Sequence, residues 1–517
     1  MLAANAGQAE PLDGARALLI CLGIAGLLLL VSRPLVRSWA QAAVLASVSV
    51  LPVLSYGQVY QAAKNVVILG FTLGRHRILL PLWGLVLLAA LWALRRSSRD
   101  VPSLTQILNV VAVAAVALPL GQLGFHALQT RSLQQAASSE NRTSPQLAGG
   151  ATLAVPDGTQ PPDIYYIILD TYTRADVLDS QLEFDNTPFL DSLRDLGFYV
   201  ADCSRSNYAN TSFSLASSLN LQYLDTVAPE QVAARASYYD WTPFVRDNAV
   251  VAYLRALGYR TIALESGYTP TELLGADSYL AVGYSLQSRL VGGVNSFEVM
   301  MLRSSVGLFL YAMERDDLPY WLQLTLYDQA YLEHRDRILF ELSELEALGR
   351  QAGPKFVFVH ILAPHDPFVL GPDGEFVIRD YPFALNEDLE NRTWSDYSQG
   401  YVGQVTYLNR RVLEIVQSIL SESPTPPVII LQGDHGIPRM EDPSERTAIL
   451  NAYYLPDGGE GQLHSTISPV NSFRVVFNTF LGGTFPLLDD SVNVAASPDD
   501  WYNFIHPPDE SAACRGN

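Results

Sequence analysis

An aspartate and a histidine stand side by side at Asp434 and His435, with a glycine on either side of the pair. They follow an apolar, β-branched run at residues 428–431, which suits a strand buried on both faces of a sheet. Ligands bind at the carboxyl ends of the strands in open α/β sheets. A carboxylate and an imidazole at that position can hold a divalent metal. A surface pair in a glycine turn is the alternative interpretation of this stretch alone.

Three other stretches place reactive side chains at a predicted strand end or helix start. Asp170 ends the buried run 167–169, where a helix cap is its alternative role. Thr211 opens an apparent helix in a hydroxyl-rich loop. There it is either an ordinary cap or a nucleophile, because backbone N–H groups and the helix dipole hold anions and ease loss of its proton. His365 lies between two prolines beyond a strand, which suits a fixed proton donor to a phosphate oxygen or a leaving group.

Three further polar residues receive weaker assignments. His360 lies inside an apolar strand and is interpreted as a buried structural histidine. His464 precedes a strand-like stretch at residues 473–477, and Arg474 lies within it. Both are candidates for substrate contact or for support of the site, although surface or core roles are favoured for each.

The elements that carry these residues alternate along the second half of the chain. The pattern predicts strands at 164–169, 260–264, 355–362 and 427–431, and helices at 187–196, 248–257 and 402–420. Such alternation favours an α/β domain with a mostly parallel central sheet and helices on both faces.

The N-terminal region is of a different kind. Apolar runs at 18–31, 40–54, 78–94 and 104–120 are each close to the length that crosses a bilayer, so we expect about four transmembrane helices within residues 1–128. A Ser-, Ala-, Gln- and Pro-rich stretch at 129–161 predicts a linker, and 162–517 form the catalytic domain.

Basic residues between the spans set the expected orientation. Arg33 and Arg37 in the first connection, and Arg95 and Arg96 in the third, favour a cytoplasmic location for both connections. The second connection also carries basic residues and weakens the bias. We therefore expect a multi-pass protein of the cell membrane with its catalytic domain outside the cytoplasm.

Composition excludes some classes of function. A chain of 517 residues is too long for one core. The formal net charge of −20 argues against nucleic acid as a partner, because a phosphate backbone attracts a basic surface. The three cysteines, Cys21, Cys203 and Cys514, form no metal-type pair, and their spacing leaves a Cys203–Cys514 disulfide open.

Four motifs together carry a resemblance. Asp170, Thr211 in Asn-Thr-x-x-Ser-Leu, His365 in Pro-His-x-Pro-Phe and Gly-Asp434-His-Gly occur in the order seen in the alkaline phosphatase superfamily. Over about residues 162–482 the chain resembles its membrane-anchored sulfatase-like group, which includes lipoteichoic acid synthase and the phosphoethanolamine transferases. The resemblance implies an alkaline-phosphatase-like α/β fold.

The resemblance also implies roles for these residues. Asp170, Thr211, Asp434 and His435 would bind one divalent cation, Mn²⁺ or Zn²⁺, with Ca²⁺ and Mg²⁺ as alternatives. Thr211 would be the nucleophile, and His365 would contact the transferred group. Most of the transferases have Glu at the position of Asp170. A further ligating histidine has no match, so a second metal is not predicted.

The expected function is metal-dependent transfer of a phosphoryl-linked head group from a membrane lipid donor to a glycan, polymer or lipid acceptor through a phospho-threonine. Neither the head group nor the oligomeric state follows from the sequence. One alternative is a sulfatase or a phosphatase-type hydrolase. A sulfatase would need formylglycine at Cys203, where the required Pro and Arg are not at the right offsets. A second alternative is a membrane protein that binds a glycan or lipid without turnover.

Overall fold

A computed structural model gives the fold of the chain. It describes residues 14–64, 66–68, 71–72, 75–96, 102–139, 153–156, 158–236, 238–283, 294–311, 313, 317–378, 383, 385, 393–497, 500–509 and 514. Residues 140–152 and 157 of the predicted linker lie outside the described residues. The chain divides into a membrane unit, made of Met1–Ser138, Tyr284–Ala330 and Arg379–Ala384, and a sheet unit, made of Ser139–Gly283, Tyr331–Ile378 and Leu385–Asn517.

The membrane unit contains four helices that are long and apolar enough to cross a bilayer, as predicted. They are α1 (Ala15–Ser32), α2 (Trp39–Ala63), α3 (His76–Arg96) and α4 (Pro102–Ser139). Their exposed side chains are mostly Leu, Val and Ile, which cannot be stable in water over so large a surface. These helices therefore require lipid around them.

Basic residues of the membrane unit lie at both sets of helix ends. Consecutive spans cross a bilayer in opposite directions, so the end of α1, the start of α2 and the end of α3 share one face. The residues at that face are Arg33, Arg37, Arg95 and Arg96, and those at the opposite face are Arg16, Lys64, Arg75 and Arg77. The Arg95 Nε donates to the Leu35 carbonyl at 2.8 Å, and the Arg33 guanidinium lies 5.4 Å from the centre of the Trp39 ring. The basic residues are therefore balanced between the two faces and set no orientation by themselves.

The sheet unit is built on a seven-stranded sheet in the order β2-β7-β6-β1-β5-β3-β4. Only β7 runs antiparallel to its neighbours, so the sheet is mostly parallel, as predicted. A separate antiparallel pair, β8 and β9, follows the sheet. The strands are β1 (Ile164–Leu169), β2 (Tyr199–Val200), β3 (Arg260–Leu264), β4 (Ser278–Leu280), β5 (Lys355–Ile361), β6 (Val428–Gly433), β7 (Asn451–Tyr454), β8 (Val494–Ser497) and β9 (Asp500–Ile505).

The remaining α-helices follow in chain order. They are α5 (Ala175–Leu182), α6 (Thr187–Asp195), α7 (Thr211–Ser218), α8 (Leu224–Val227), α9 (Pro229–Ala233), α10 (Thr242–Arg246), α11 (Ala249–Ala256), α12 (Ser296–Ser304), α13 (Leu308–Tyr311), α14 (Tyr320–Gln323), α15 (Gln329–Leu348), α16 (Trp394–Glu422) and α17 (Pro469–Phe480). Helices α12 to α14 belong to the membrane unit, so the chain leaves the sheet unit after β4 and returns at α15.

The predicted strands match the observed ones closely, and one predicted element is wrong. Residues 473–477 read as a strand because Phe and Val dominate the stretch, yet they lie inside helix α17. A proline in the first turn of α17 suits a helix start, and Phe473 and Phe477, four residues apart, both pack into the main core. The helical spacing of the aromatic residues therefore prevails over their preference for strands.

A disulfide joins Cys203 to Cys514 and ties the end of the chain to the sheet unit. The question that the spacing left open is thus answered. Disulfides persist in oxidising compartments and are rare in the cytosol, so the bond favours a location of this unit outside the cytoplasm.

The packing of α12 against α2 predicts the effect of a glycine substitution. A Cβ atom on Gly57 would lie 1.8 Å from the Arg303 carbonyl oxygen, so Gly57→Ala must push the two backbones apart. Overpacking of this kind costs about 1–3 kcal/mol. We expect a lower thermal midpoint for the full chain in detergent and faster proteolysis at residues 294–311.

The matched control is Gly84→Ala, because nothing lies within 4 Å of a Cβ at that position. Alanine favours helix over glycine by up to about 1 kcal/mol, so this variant keeps or raises the midpoint. Equal midpoints for the two variants would contradict the packing of α12 on α2.

Candidate metal centre

The parallel register brings three strand ends to one edge of the sheet. Leu169 at the end of β1 pairs with Ile361 of β5 on one side and with Gly433 of β6 on the other. Asp170 and Asp434 are the next residues of β1 and β6, so they emerge side by side. Two carboxylates far apart in sequence thus meet because adjacent parallel strands end at the same level.

A strained turn fixes the first of these carboxylates. Thr171, directly after Asp170, has a φ of 61°, a left-handed conformation that is costly for a β-branched residue. Two hydrogen bonds hold it: the Thr171 N–H donates to Asp434 Oδ1 at 3.0 Å, and the Tyr401 hydroxyl donates to the Thr171 carbonyl at 2.8 Å. The turn therefore links the two carboxylate-bearing strand ends directly. The sequence carried no signal for Thr171.

The glycines on either side of Asp434-His435 allow close backbone approach. A Cβ on Gly433 would lie 2.4 Å from the Tyr172 carbonyl oxygen, and one on Gly436 would lie 2.3 Å from the Glu445 carbonyl oxygen. Neither distance leaves room for a side chain. The Gly-Asp-His-Gly motif is thus required by packing as well as by chemistry.

Asp170, Asp434 and His435 form a cluster whose ligand atoms all lie within 4.8 Å of one another. His435 Nε2 is 3.9 Å from Asp170 Oδ1 and 3.5 Å from Asp434 Oδ2. The other ring nitrogen, Nδ1, donates to the Gly436 carbonyl at 2.8 Å, because a carbonyl can only accept. In the neutral ring Nε2 therefore carries a lone pair that faces both carboxylates.

This donor set fits a divalent cation. Asp170 Oδ1 and Asp434 Oδ2 are buried and accept no hydrogen bond from the part of the chain that the structure describes. Buried carboxylate oxygens without partners are strongly unfavourable unless a cation or donor satisfies them. Two such oxygens and one imidazole nitrogen are ligands that Mn²⁺ and Zn²⁺ both accept. The identity of the metal does not follow from this set.

The Thr211 hydroxyl lies next to the cluster, and its role there stays a prediction. Its Oγ1 lies 3.2 Å from His435 Nε2, and Thr211 is the first residue of α7. The preceding Asn210 caps the helix by accepting from the Phe213 N–H at 3.0 Å. Because Asn210 supplies the cap, the Thr211 hydroxyl is left to point at the cluster.

His365 is held in the loop after β5. The Gln404 side chain donates to the His365 carbonyl at 3.2 Å, and His365 Nδ1 donates to the Asp366 carbonyl. Burial disfavours the charged ring, but the nearby carboxylates of Asp170 and Asp366 outweigh it and raise the pKa of His365 to about 9. The reciprocal attraction lowers the pKa of Asp170 despite its burial.

His360 is buried, as predicted, but its neighbour was not foreseen. His360 Nε2 lies 3.2 Å from Asp170 Oδ2, on the oxygen opposite to the one that faces the cluster. Its Nδ1 lies 2.9 Å from the Thr271 hydroxyl. If Thr271 donates to Nδ1, then Nε2 carries the proton and can hold Asp170 in place. The one sequence feature that could have indicated this contact is the presence of a single histidine in an otherwise apolar strand.

The two weaker candidates have partners of their own. His464 Nε2 lies 2.6 Å from Asp490 Oδ2, and Asp490 also accepts from the Ser468 N–H. Arg474 donates through Nε to the Leu221 carbonyl at 2.9 Å and stacks near Phe485. Both side chains thus support loops and packing around α17. A role for either at the metal centre stays a prediction.

The mostly parallel sheet carries a buried cluster of carboxylates, an imidazole and a hydroxyl at its strand ends, which fits an α/β enzyme that uses a divalent metal. The Sulfatase family model matches residues 162–475, which is more than half of the chain. The chain therefore belongs to the Sulfatase family. No curated protein matches it. Cys203, the alternative nucleophile, is bound in the disulfide with Cys514, so its sulfur is not available for conversion to formylglycine.

Solved structures with a similar fold come from several bacteria. The C-terminal periplasmic domain of EcEptC from Escherichia coli in complex with Zn is 12% identical, with a TM-score of 0.42, and covers 69% of this chain and 95% of its own. The integral membrane lipooligosaccharide phosphoethanolamine transferase A from Neisseria meningitidis is 14% identical, with a TM-score of 0.41, and covers 85% of this chain and 82% of its own. The lipoteichoic acid synthase LtaP from Listeria monocytogenes is 14% identical, with a TM-score of 0.34, and covers 62% and 73%.

The contact between His360 and Asp170 predicts a change in metal affinity. We expect His360→Ala to weaken Mn²⁺ binding by about 10- to 100-fold, because Asp170 loses the group that orients it. His360→Gln, which keeps one donor, should recover part of the loss. The measurement is a calorimetric titration of the metal-free full-length protein with Mn²⁺.

His464→Ala is the matched control, since its ring pairs with Asp490 and not with the described cluster. Unchanged affinity in His360→Ala, or an equal loss in His464→Ala, would contradict the positioning role of His360.

Proposed function

We propose that the protein transfers a phosphoryl-linked head group from a membrane lipid to a glycan, polymer or lipid acceptor through a phospho-threonine at Thr211. The observation that supports this most directly is the Thr211 hydroxyl, 3.2 Å from His435 Nε2 at the start of a buried helix. Membership of the Sulfatase family supports ester chemistry at this edge of the sheet.

Four side chains would hold the metal: Asp170, Asp434, His435 and the Thr211 hydroxyl. When bound, a divalent cation supplies a Lewis acid that lowers the pKa of the threonine hydroxyl and polarises a phosphoryl oxygen. The buried donors fit Mn²⁺ and Zn²⁺, with Ca²⁺ and Mg²⁺ as alternatives. Asp170 is shorter than a glutamate, and the turn at Thr171 and the contact with His360 compensate by fixing its position.

The residues of the chain have separate roles in the proposed reaction. The Thr211 hydroxyl releases its proton to water, and its Oγ1 attacks phosphorus as the phosphorus–oxygen bond to the lipid alcohol breaks. The first-turn N–H groups of α7 face the charge that builds on the phosphoryl group. His365 acts as the acid in this step and gives its proton to the departing alcohol. The phosphoryl group stays on Thr211. An acceptor hydroxyl next attacks phosphorus, gives its proton to His365 and frees Thr211.

The membrane helices support a lipid donor. Four helices that are apolar and long enough to cross a bilayer begin within residues 1–128 of the chain that carries the site, so a donor from the membrane is favoured over a soluble ester. The disulfide supports a location of the sheet unit outside the cytoplasm. A hydrolase would differ only in the second step, where water replaces the acceptor.

Substitution of Thr211 tests the proposal. Purified full-length protein with Mn²⁺ is incubated with phosphatidylethanolamine and phosphatidylglycerol that carry radiolabelled phosphate, then quenched in acid. We expect release of diacylglycerol and a label on the peptide that contains Thr211. Thr211→Ala abolishes both, with a loss of about three orders of magnitude or more, because no nucleophile remains.

Thr211→Ser is the matched variant, since it keeps a hydroxyl at the same position and retains part of the activity. Diacylglycerol release at the wild-type rate by Thr211→Ala would disprove the covalent route. Release from neither lipid, with intact metal binding, would instead exclude these two donors. A label that appears only with a soluble phosphate ester would favour the hydrolase.

A further inference from the structure

A segment of the sheet unit's sequence is built into the membrane unit. We call residues 294–330 the insert. It begins 14 positions after Leu280, the last residue of β4, and contains α12, α13 and α14. Its buried side chains form a small core of their own around Val299, Leu318 and Tyr327. A polypeptide that returns from a catalytic domain to pack on transmembrane helices is expected to lie at the bilayer surface.

Helix α12 binds the start of α1. Asn295 and Glu298 form a capping box that fixes the beginning of α12. The Arg16 Nε donates to Glu298 Oε1 at 2.6 Å, and the second guanidinium nitrogen donates to Oε2, so the pair is bidentate. Phe297 packs against Ala17 beside this pair. Polar and apolar contacts thus attach α12 to the first turn of α1.

The insert also contacts α2 and α3. The Val306 N–H donates to the Val53 carbonyl of α2 at 2.8 Å. The Phe309 ring lies 4.6 Å from the ring of His76, the first residue of α3, and the Tyr56 hydroxyl lies 2.8 Å from His76 Nδ1. The start of α1, the last part of α2 and the start of α3 share one face of a bundle of alternating spans. All of these contacts therefore lie at one membrane surface.

Beyond these contacts the insert exposes large apolar side chains. Tyr320 is 74% exposed, Trp321 65% and Leu324 37%, and the three lie within one and a half helical turns. Tyr and Trp are enriched where a bilayer meets water, because each has an apolar ring and a polar tip.

We propose that the insert is an interfacial element that seats Tyr320, Trp321 and Leu324 in the lipid bilayer at the surface where α1 begins. The bilayer is favoured over a second copy of the chain for two reasons. The insert is continuous with the ends of three lipid-exposed helices. Three side chains also offer far less than the roughly 800 Å² per partner that a stable protein interface buries. The element works in addition to the four spans and does not depend on the chemistry at Thr211.

Site-directed fluorescence in nanodiscs tests the proposal. The full-length protein carries Cys21→Ala, so that the remaining native cysteines are in the disulfide. Trp321→Cys is labelled with an environment-sensitive fluorophore in phosphatidylcholine–phosphatidylglycerol nanodiscs. We expect emission at shorter wavelength, several-fold stronger quenching by brominated lipid, and protection from aqueous iodide.

Trp501→Cys is the matched control, because Trp501 is a tryptophan of β9 in the sheet unit that is 44% exposed. Its label should be quenched by iodide and not by brominated lipid. Equal iodide quenching at both positions would overturn the proposal. Hydroxyl-radical footprinting of the unsubstituted protein guards against misfolded variants: Trp321 should be modified several-fold less than Trp501 in nanodiscs, and equal modification would again overturn it.

Discussion

The site depends on the convergence of buried electron-pair donors with no proton between them. Asp170 Oδ1, Asp434 Oδ2 and His435 Nε2 face one another within 4.8 Å, and the Gly436 carbonyl fixes the proton of the imidazole on the far nitrogen. Such an arrangement is repulsive by itself. A divalent cation turns the repulsion into attraction, so the metal is expected to stabilise this edge of the sheet as well as to take part in chemistry.

The rest of the sheet unit keeps these donors in place. Strands β1 and β6 end at the same level of the sheet, so Asp170 and Asp434 lie side by side. The left-handed turn at Thr171 links the two strand ends through the hydrogen bond from the Thr171 N–H to Asp434. His360 stands behind Asp170, and the cap at Asn210 leaves the hydroxyl of Thr211 free to face the cluster. A rigid surrounding of this kind is what precise placement of a nucleophile and a metal requires.

Much of the fold followed from the sequence because its signals are local. Apolar runs predicted the four membrane helices, and the β-branched runs that precede Asp170 and Asp434 predicted the two strands that carry them. Other features depend on contacts that no local pattern records. Helix α17 was predicted as a strand because the four-residue spacing of its aromatic side chains indicates a helix only once the core they pack into is known. The neighbours of His360 and the packing of residues 294–330 in the membrane unit also depend on segments that are distant in sequence.

The most direct test of the metal centre is the metal content of the purified full-length protein after reconstitution with Mn²⁺ or Zn²⁺ and removal of excess ion, measured by mass spectrometry. The geometry predicts about one ion per chain in the wild type and loss of that ion in Asp434→Asn. Asp490→Asn, which removes a carboxylate bound to His464, should keep it. A wild type that holds no ion, or an Asp434→Asn variant that holds as much as the wild type, would contradict the account.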